Sequence, residues 1–156
     1  MGLDMYLYKK TYVQNWSHMP PEKLHTISIV RGDNTTTGIK PERISYITES
    51  VGYWRKFNAL HKWFVENCQD GNDDCKTYYV ATEKLELLLE TLKKIKADHT
   101  LAEELLPTED GFFFGGTEYD SYYFENVDDT VELLEGLLQE EKDMPSYSTY
   151  EYNSSW

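Results

Sequence analysis

The residues best suited to chemistry lie in one stretch, residues 53–64, which combines aromatic, cationic and polar side chains. Arg55 and Lys62 are fixed cations that could hold a phosphate group, and Asn58 adds hydrogen-bonding capacity. Trp63 lies next to Lys62 and could stack on a planar group. This combination predicts a binding site, either for a small anion such as a nucleotide or for a partner protein.

His61 lies in the middle of the same stretch and is the residue that could act as a general base. A catalytic histidine needs a nucleophile and an orienting carboxylate within hydrogen-bond reach. Asp4, Glu49 and Asp120 are candidate carboxylates by type, but no Ser or Cys stands in a catalytic signature. A His-dependent enzyme is therefore one alternative. The other is a hydrogen-bonded histidine in the core.

A second candidate site is the aromatic segment 111–124, in which seven of 14 residues are Phe or Tyr. Phe113, Tyr119 and Tyr123 would form an aromatic wall for a planar ligand or a partner side chain, with Asp120 among them. The alternative is a buried connector that fills the core. The glycines in this segment do not form a phosphate loop, because the Lys-Ser/Thr of that motif is missing.

The cysteines and the acidic turn between them do not predict a metal site. Cys68 and Cys75 are separated by six residues, and no His lies nearby, whereas zinc needs four ligands at closer spacing. The carboxylates of residues 70–74 lack the spacing of a calcium loop. We therefore expect neither a metal ion nor another cofactor.

The apolar pattern predicts the elements that must position these residues. Strands are expected at 3–9, 26–30, 44–48 and 76–81, and a turn at 32–34. Helices are expected at 52–68, 82–97 and 122–142, with a short helical piece at 101–106. Together they predict an α+β fold in which a single antiparallel sheet packs against about three helices in one domain, 1–156. Residues 143–156 would be either an edge strand or a mobile acidic tail.

Within the first predicted helix, the residues divide into two sides. At about 100° per residue, Trp54, Phe57, His61 and Phe64 share an apolar face. Arg55, Asn58 and Lys62 would form a polar stripe, and Trp63 would project away from the apolar centre. Arg55, Asn58, Lys62 and Trp63 are therefore the predicted binding site on this helix.

The net charge of −13 is unevenly distributed. Residues 1–65 carry nine Lys/Arg and five Asp/Glu, whereas residues 66–156 carry six Lys/Arg and 23 Asp/Glu. Such a field repels phosphates and argues against non-specific nucleic-acid binding. It favours a partner with a basic surface, and the acidic face of helix 122–142 leaves nucleic-acid mimicry as a further alternative. The sequence contains no secretory signal or membrane-spanning run, so we expect a cytoplasmic protein without a membrane partner.

Several motifs together resemble a family of small proteins from bacteriophages and prophages. They are Gly-Leu-Asp-Met-Tyr-Leu at 2–7, Tyr-Trp-Arg-Lys-x-Asn-x-x-His-Lys-Trp-Phe at 53–64, Leu-Leu-Pro-Thr-x-x-Gly-Phe-Phe-Phe-Gly at 105–115, Tyr-Asp-x-Tyr-Tyr at 119–123 and Ser-Ser-Trp at 154–156. The resemblance spans nearly the whole chain and implies a phage accessory protein. Small acidic phage proteins often bind and disable a host factor, including defence proteins. The favoured expectation is therefore a non-enzymatic inhibitor of a bacterial host protein.

Overall fold

The computed structural model describes residues 2–33 and 38–156. In these residues one antiparallel sheet is formed by four strands, so the predicted α+β fold is confirmed. The strands are β1 (Asp4–Tyr12), β2 (Tyr46–Arg55), β3 (Tyr78–Val80) and β4 (Ser148–Ser155). Their order across the sheet is β2–β1–β4–β3.

Four α-helices accompany the sheet in the described part of the chain. They are α1 (Asn58–Cys68), α2 (Thr82–Ala97), α3 (Ala102–Leu105) and α4 (Ser121–Asp143). The helices predicted at 82–97, 101–106 and 122–142 are confirmed to within one or two residues at their ends. Their apolar residues recur every three or four positions, which is the spacing that places them on one helix face.

These apolar faces and one face of the sheet enclose the core. On α2 the four core leucine and isoleucine side chains are fully buried: Leu85, Leu88, Leu92 and Ile95. On α4 the side chains of Val127, Val131 and Leu134 are 3% exposed or less. In the sheet, Met5 and Leu7 of β1 are fully buried, while the residues that alternate with them are not. The helices therefore pack on one face of the sheet.

The helix predicted at 52–68 is wrong in its first turn and a half. Residues 52–55 are the end of β2, where Gly52 pairs with Leu7 and Arg55 pairs with Asp4. Helix α1 begins only at Asn58, because Lys56 between the two elements has a φ of 54°. This left-handed conformation ends the strand and turns the chain into the helix. Trp54 still joins the core, but from a strand.

The strand predicted at 26–30 is also wrong. Residues 25–30 have no regular structure, and the described residues of the long connection between β1 and β2 contain the 3₁₀ turns Pro21–Lys23 and Pro41–Arg43 and an isolated bridge residue, Arg31. A β-branched run makes a strand only when a neighbouring strand accepts its hydrogen bonds. In the turn predicted at 32–34, Gly32 has a φ of 60°. Asn34 lies outside the described residues.

The end of the chain is neither an edge strand nor a mobile tail. It forms β4, which lies between β1 and β3 in the interior of the sheet. Tyr150 and Tyr152 of this strand are 1% exposed or less and complete the core. The strand predicted at 44–48 begins at Tyr46 and continues to the end of β2.

Candidate functional site: the open face of the sheet

The face of the sheet that points away from the helices carries a group of tyrosines. In β1, Tyr6, Tyr8 and Tyr12 occupy positions that alternate with the core residues, and none of them is buried. Cross-strand partners point to the same side of a sheet. Tyr6 pairs with Tyr53 and Tyr12 pairs with Tyr46, so both partners lie on this side. We call this side the open face.

The rings on the open face contact one another in two groups. Tyr6 stacks against Tyr8 with ring centroids 6.0 Å apart, and it tilts against Tyr53 at 5.4 Å. At the other end of the strands, Tyr12 and Tyr46 meet edge to face at 5.2 Å. These spacings are those of favourable aromatic pairs. The rings therefore restrict one another's movement.

The outer tyrosines of this face are well exposed. Tyr46 is 50% exposed, Tyr53 is 55% exposed, and Tyr79 of β3 is 63% exposed. Tyr79 pairs with Glu151 of β4, which pairs in turn with Tyr8. The open face thus has tyrosines on three of its four strands, and it presents ring surface together with hydroxyl groups.

The charges of the open face are paired with one another. At one end, Nη1 of Arg55 lies 2.8 Å from Oδ1 of Asp4, which also accepts a hydrogen bond from the Tyr53 hydroxyl at 2.6 Å. The Tyr53 hydroxyl and the Arg55 guanidinium hold the pKa of Asp4 below its usual value. At the centre, Nζ of Lys10 lies 3.9 Å from Glu151. This face is therefore neutral as a whole, although the protein carries a net charge of −13.

The connection between β1 and β2 extends the open face at the Tyr12 end. The indole N–H of Trp16 donates to the Tyr12 hydroxyl at 2.6 Å, and the Trp16 side chain is still 50% exposed. Leu24 and Val30 of the same connection are 45% and 61% exposed. Connections of this length inside a compact domain are often functional. The exposed aromatic surface consequently continues beyond the sheet.

The four residues predicted as a polar site on the first helix do not meet around a common site. Arg55 lies on β2, and its carbonyl accepts a hydrogen bond from the Tyr122 hydroxyl. Lys62 is half-buried on α1, with Nζ 4.0 Å from Glu66. Trp63 is 8% exposed, so the prediction that it projects away from the core is wrong.

Asn58 has a structural environment. Its side chain is 2% exposed and makes three hydrogen bonds to backbone groups. Nδ2 donates to the carbonyls of Phe114 and Gly116 at 3.0 and 2.8 Å, and Oδ1 accepts from the Glu109 N–H at 2.9 Å. A side chain engaged in this way ties the connection before α4 to α1 and has no free group for a ligand.

Residues 111–114 form a turn whose aromatic side chains point in different directions. Phe112 is 95% exposed, Phe113 is half-buried, and Phe114 is 8% exposed against the ring of His61. The three Phe therefore do not form one wall. The turn seals the core with Phe114, while its backbone is held by Leu3, whose N–H donates to the Phe113 carbonyl at 3.0 Å.

The other predicted residues of the aromatic segment are engaged in the fold. Asp120 is the N-cap of α4 and accepts from the Tyr123 N–H at 3.1 Å. Tyr123 is 3% exposed and donates its hydroxyl to the Leu106 carbonyl at 2.7 Å. The Tyr119 hydroxyl accepts from the Thr108 N–H at 3.2 Å. These contacts account for each residue without a ligand.

His61 is completely buried and bridges two parts of the chain. Its Nδ1 shares a hydrogen bond of 2.7 Å with the Tyr152 hydroxyl, and its Nε2 lies 3.0 Å from Oδ2 of Asp73. The second contact has the distance of an ion pair but not the alignment of a hydrogen bond. Asp73 also accepts from the Trp156 indole at 3.0 Å. This arrangement fastens the C-terminal strand to the acidic turn, and the ring does not reach solvent.

Burial perturbs two further groups near this bridge. It raises the pKa of the Cys68 thiol to about 11. It also raises the pKa of Glu109, an effect that His61 partly opposes. Within residues 2–33 and 38–156, no group of three or more His, Cys, Asp or Glu side chains is arranged to hold a metal ion.

The alternation of tyrosines along β1 indicates the open face, but these tyrosines were not predicted as site residues. Tyrosines at positions 6, 8 and 12 have the period of two that places them on one side of a strand. The strand itself was predicted, but its tyrosines were not singled out. The other three tyrosines, Tyr46, Tyr53 and Tyr79, could not be assigned to this face from the sequence. They join it only because their strands pair with β1 and β4.

Among the described residues, no helix is long and apolar enough to cross a membrane. Comparison of the chain with protein-family models found no match. Searches of the curated proteins and of the solved structures also found no similar protein.

Proposed function

We propose that this protein acts by binding another protein through the open face of its sheet. The observation that carries the proposal is the uncovered set of six tyrosines on three strands, with the charges between them already paired. Tyrosine is enriched at protein interfaces because it contributes a large, rigid contact area and a hydroxyl at low entropic cost. A sheet face that served only to cover the core would need no exposed rings.

The dimensions of the open face suit a modest interface. Three strands of eight to ten residues and the three-residue β3, about 4.8 Å apart, give a flat area of at most roughly 15 by 30 Å. A stable complex buries about 800 Å² on each partner. The open face supplies part of that area, and Trp16, which donates to the Tyr12 hydroxyl and is 50% exposed, extends it.

The resemblance to phage proteins makes a bacterial host protein the expected partner, with inhibition of that protein as the outcome. The paired charges of the open face predict the character of the contact. Because Asp4 and Arg55 neutralise each other, association through this face would depend little on salt. Association through the acidic helices would weaken steeply as salt is raised.

The test compares capture of host proteins by the wild-type protein and by two matched variants. Tyr53→Ser with Tyr79→Ser removes two exposed rings from the open face, whereas Leu87→Ser removes an exposed apolar side chain of α2. We expect a partner that the wild type and Leu87→Ser retain at both low and high salt, and that the double variant loses. If the double variant retains every partner that the wild type retains at both salt concentrations, the proposal is refuted.

A further inference from the structure

A groove of about 820 Å³ runs between α2 and α4 on the side of these helices that does not face the core. Its floor includes the half-buried side chains of Leu89 and Leu138. Gly136 also lines it and leaves a gap in the side-chain cover of α4. The groove thus combines an apolar floor with room for an inserted side chain.

No contact or backbone conformation within the protein requires glycine at position 136 of this groove. Gly136 lies in the middle of a 23-residue helix, where glycine is less favourable than alanine. A Cβ atom added at this position would meet no other atom within 4 Å. The backbone does not need glycine for a positive φ either. The missing side chain at Gly136 instead allows the atoms of another molecule to approach the backbone of α4 closely.

The groove is lined by four glutamates and by two lysines, Lys93 of α2 and Lys142 of α4, so it is acidic overall. Glu86 and Glu90 line it from α2, and Glu132 and Glu135 line it from α4. Lys93 pairs with Glu135 at 3.1 Å, and Glu90 pairs with a lysine of its own helix, Lys94, at 3.3 Å. In the described residues no ion pair is recorded for Glu86 or Glu132. One free carboxylate therefore remains on each wall.

We propose that this groove binds an amphipathic helix with basic residues along its edges, presented by a partner protein. An apolar stripe of such a helix would lie on Leu89 and Leu138, and its closest side chain would enter the space above Gly136. Lysine or arginine on either side of the stripe would meet Glu86 and Glu132. This surface is separate from the open face, so the inference does not depend on the proposed function.

The probe for this proposal is an 18-residue peptide of leucine and lysine with leucine on one helical face. A peptide of the same composition in scrambled order and a leucine–glutamate peptide with the original spacing serve as controls. We expect calorimetry to detect binding of the leucine–lysine helix and neither control. Equal binding of the scrambled peptide would overturn the proposal, because it would show attraction to net charge alone.

Two sets of variants locate the binding. Gly136→Leu fills the floor and is expected to weaken binding at least tenfold. Glu86→Gln with Glu132→Gln is expected to weaken it several-fold and to reduce its salt dependence. Asp128→Asn with Glu103→Gln removes the same charge outside the groove and should leave the affinity unchanged. If both charge variants weaken binding equally, the groove is not the site.

Gly136→Ala separates binding from folding. Because the added methyl group meets open space, this variant is expected to raise the melting temperature by about 2–3 °C. It should nevertheless bind the leucine–lysine peptide more weakly than the wild type, since the methyl group occupies part of the floor. A variant that is more stable and binds equally well would contradict the role given to Gly136.

Discussion

Replacing Asn58 by alanine is the perturbation that best separates a structural role from a binding role. The side chain makes three hydrogen bonds, to the carbonyls of Phe114 and Gly116 and from the N–H of Glu109. It is 2% exposed, so water does not readily replace it. Its loss would leave backbone groups of the connection 107–119 without partners and would loosen the turn that places Phe114 in the core.

The expected loss in the free energy of unfolding follows from the number and burial of these hydrogen bonds. A hydrogen bond contributes about 1 kcal/mol net, and an unsatisfied buried group costs about 1–3 kcal/mol. Three bonds therefore predict a loss of about 3–4 kcal/mol in the free energy of unfolding for Asn58→Ala. For a chain of 156 residues this corresponds to a fall of roughly 6–16 °C in melting temperature.

Urea unfolding followed by circular dichroism measures this loss. Asn126→Ala is the matched control, because Asn126 makes one hydrogen bond, to the Tyr122 carbonyl of its own helix. We expect the control to change the free energy of unfolding by about 0.5 kcal/mol or less. A loss below about 1 kcal/mol for Asn58→Ala would refute the structural role and return Asn58 to the residues available for a ligand.

Three further outcomes follow from the buried groups. Tyr152→Phe removes the hydroxyl that bonds His61 at 2.7 Å and should lower the free energy of unfolding by about 1–2 kcal/mol in urea unfolding. Burial raises the pKa of Glu109, so its ionisation favours the unfolded chain. Glu109→Gln should therefore be more stable than the wild type at pH 7 and lose this advantage as the pH falls below about 4. With Cys75→Ser as background, the buried Cys68 thiol, with a pKa of about 11, should react with iodoacetamide at pH 8 about 100-fold more slowly in the folded protein than in urea.

The sequence predicted the elements that carry their own periodicity. Helices α2 and α4 have apolar residues every three or four positions, and their bounds were predicted to within one or two residues. β1 alternates along its length and was also predicted. These patterns are local, so a single sequence is enough to identify them.

Prediction failed where long-range pairing decides the structure. The stretch 52–57 continues the helical pattern of α1, but its first residues pair with β1 and are therefore strand. Residues 26–30 have strand composition but pair with no neighbouring strand. Trp63 was expected to project away from the apolar centre of the helix. In the fold it packs edge to face on the adjacent Phe64 at 5.3 Å.

The predicted grouping of Arg55, Asn58 and Lys62 on one helix failed for the same reason. A helical projection grouped Arg55 with Asn58 and Lys62, whereas the fold assigns Arg55 to the open face and Asn58 to the core. The tyrosines of the open face come together only when β2, β1, β4 and β3 are placed in that order. A site assembled from side chains of different strands is visible in the sheet and not in any one segment.

Photo-crosslinking in host cells tests the central claim most directly. A benzophenone amino acid replaces Tyr79 on the open face in one variant and Leu87 on α2 in the other, both of which are exposed side chains. We predict a crosslinked partner protein from position 79 and none of the same mass from position 87. Failure of position 79 to give any crosslinked partner, or an equal yield of the same partner from both positions, would contradict binding through the open face.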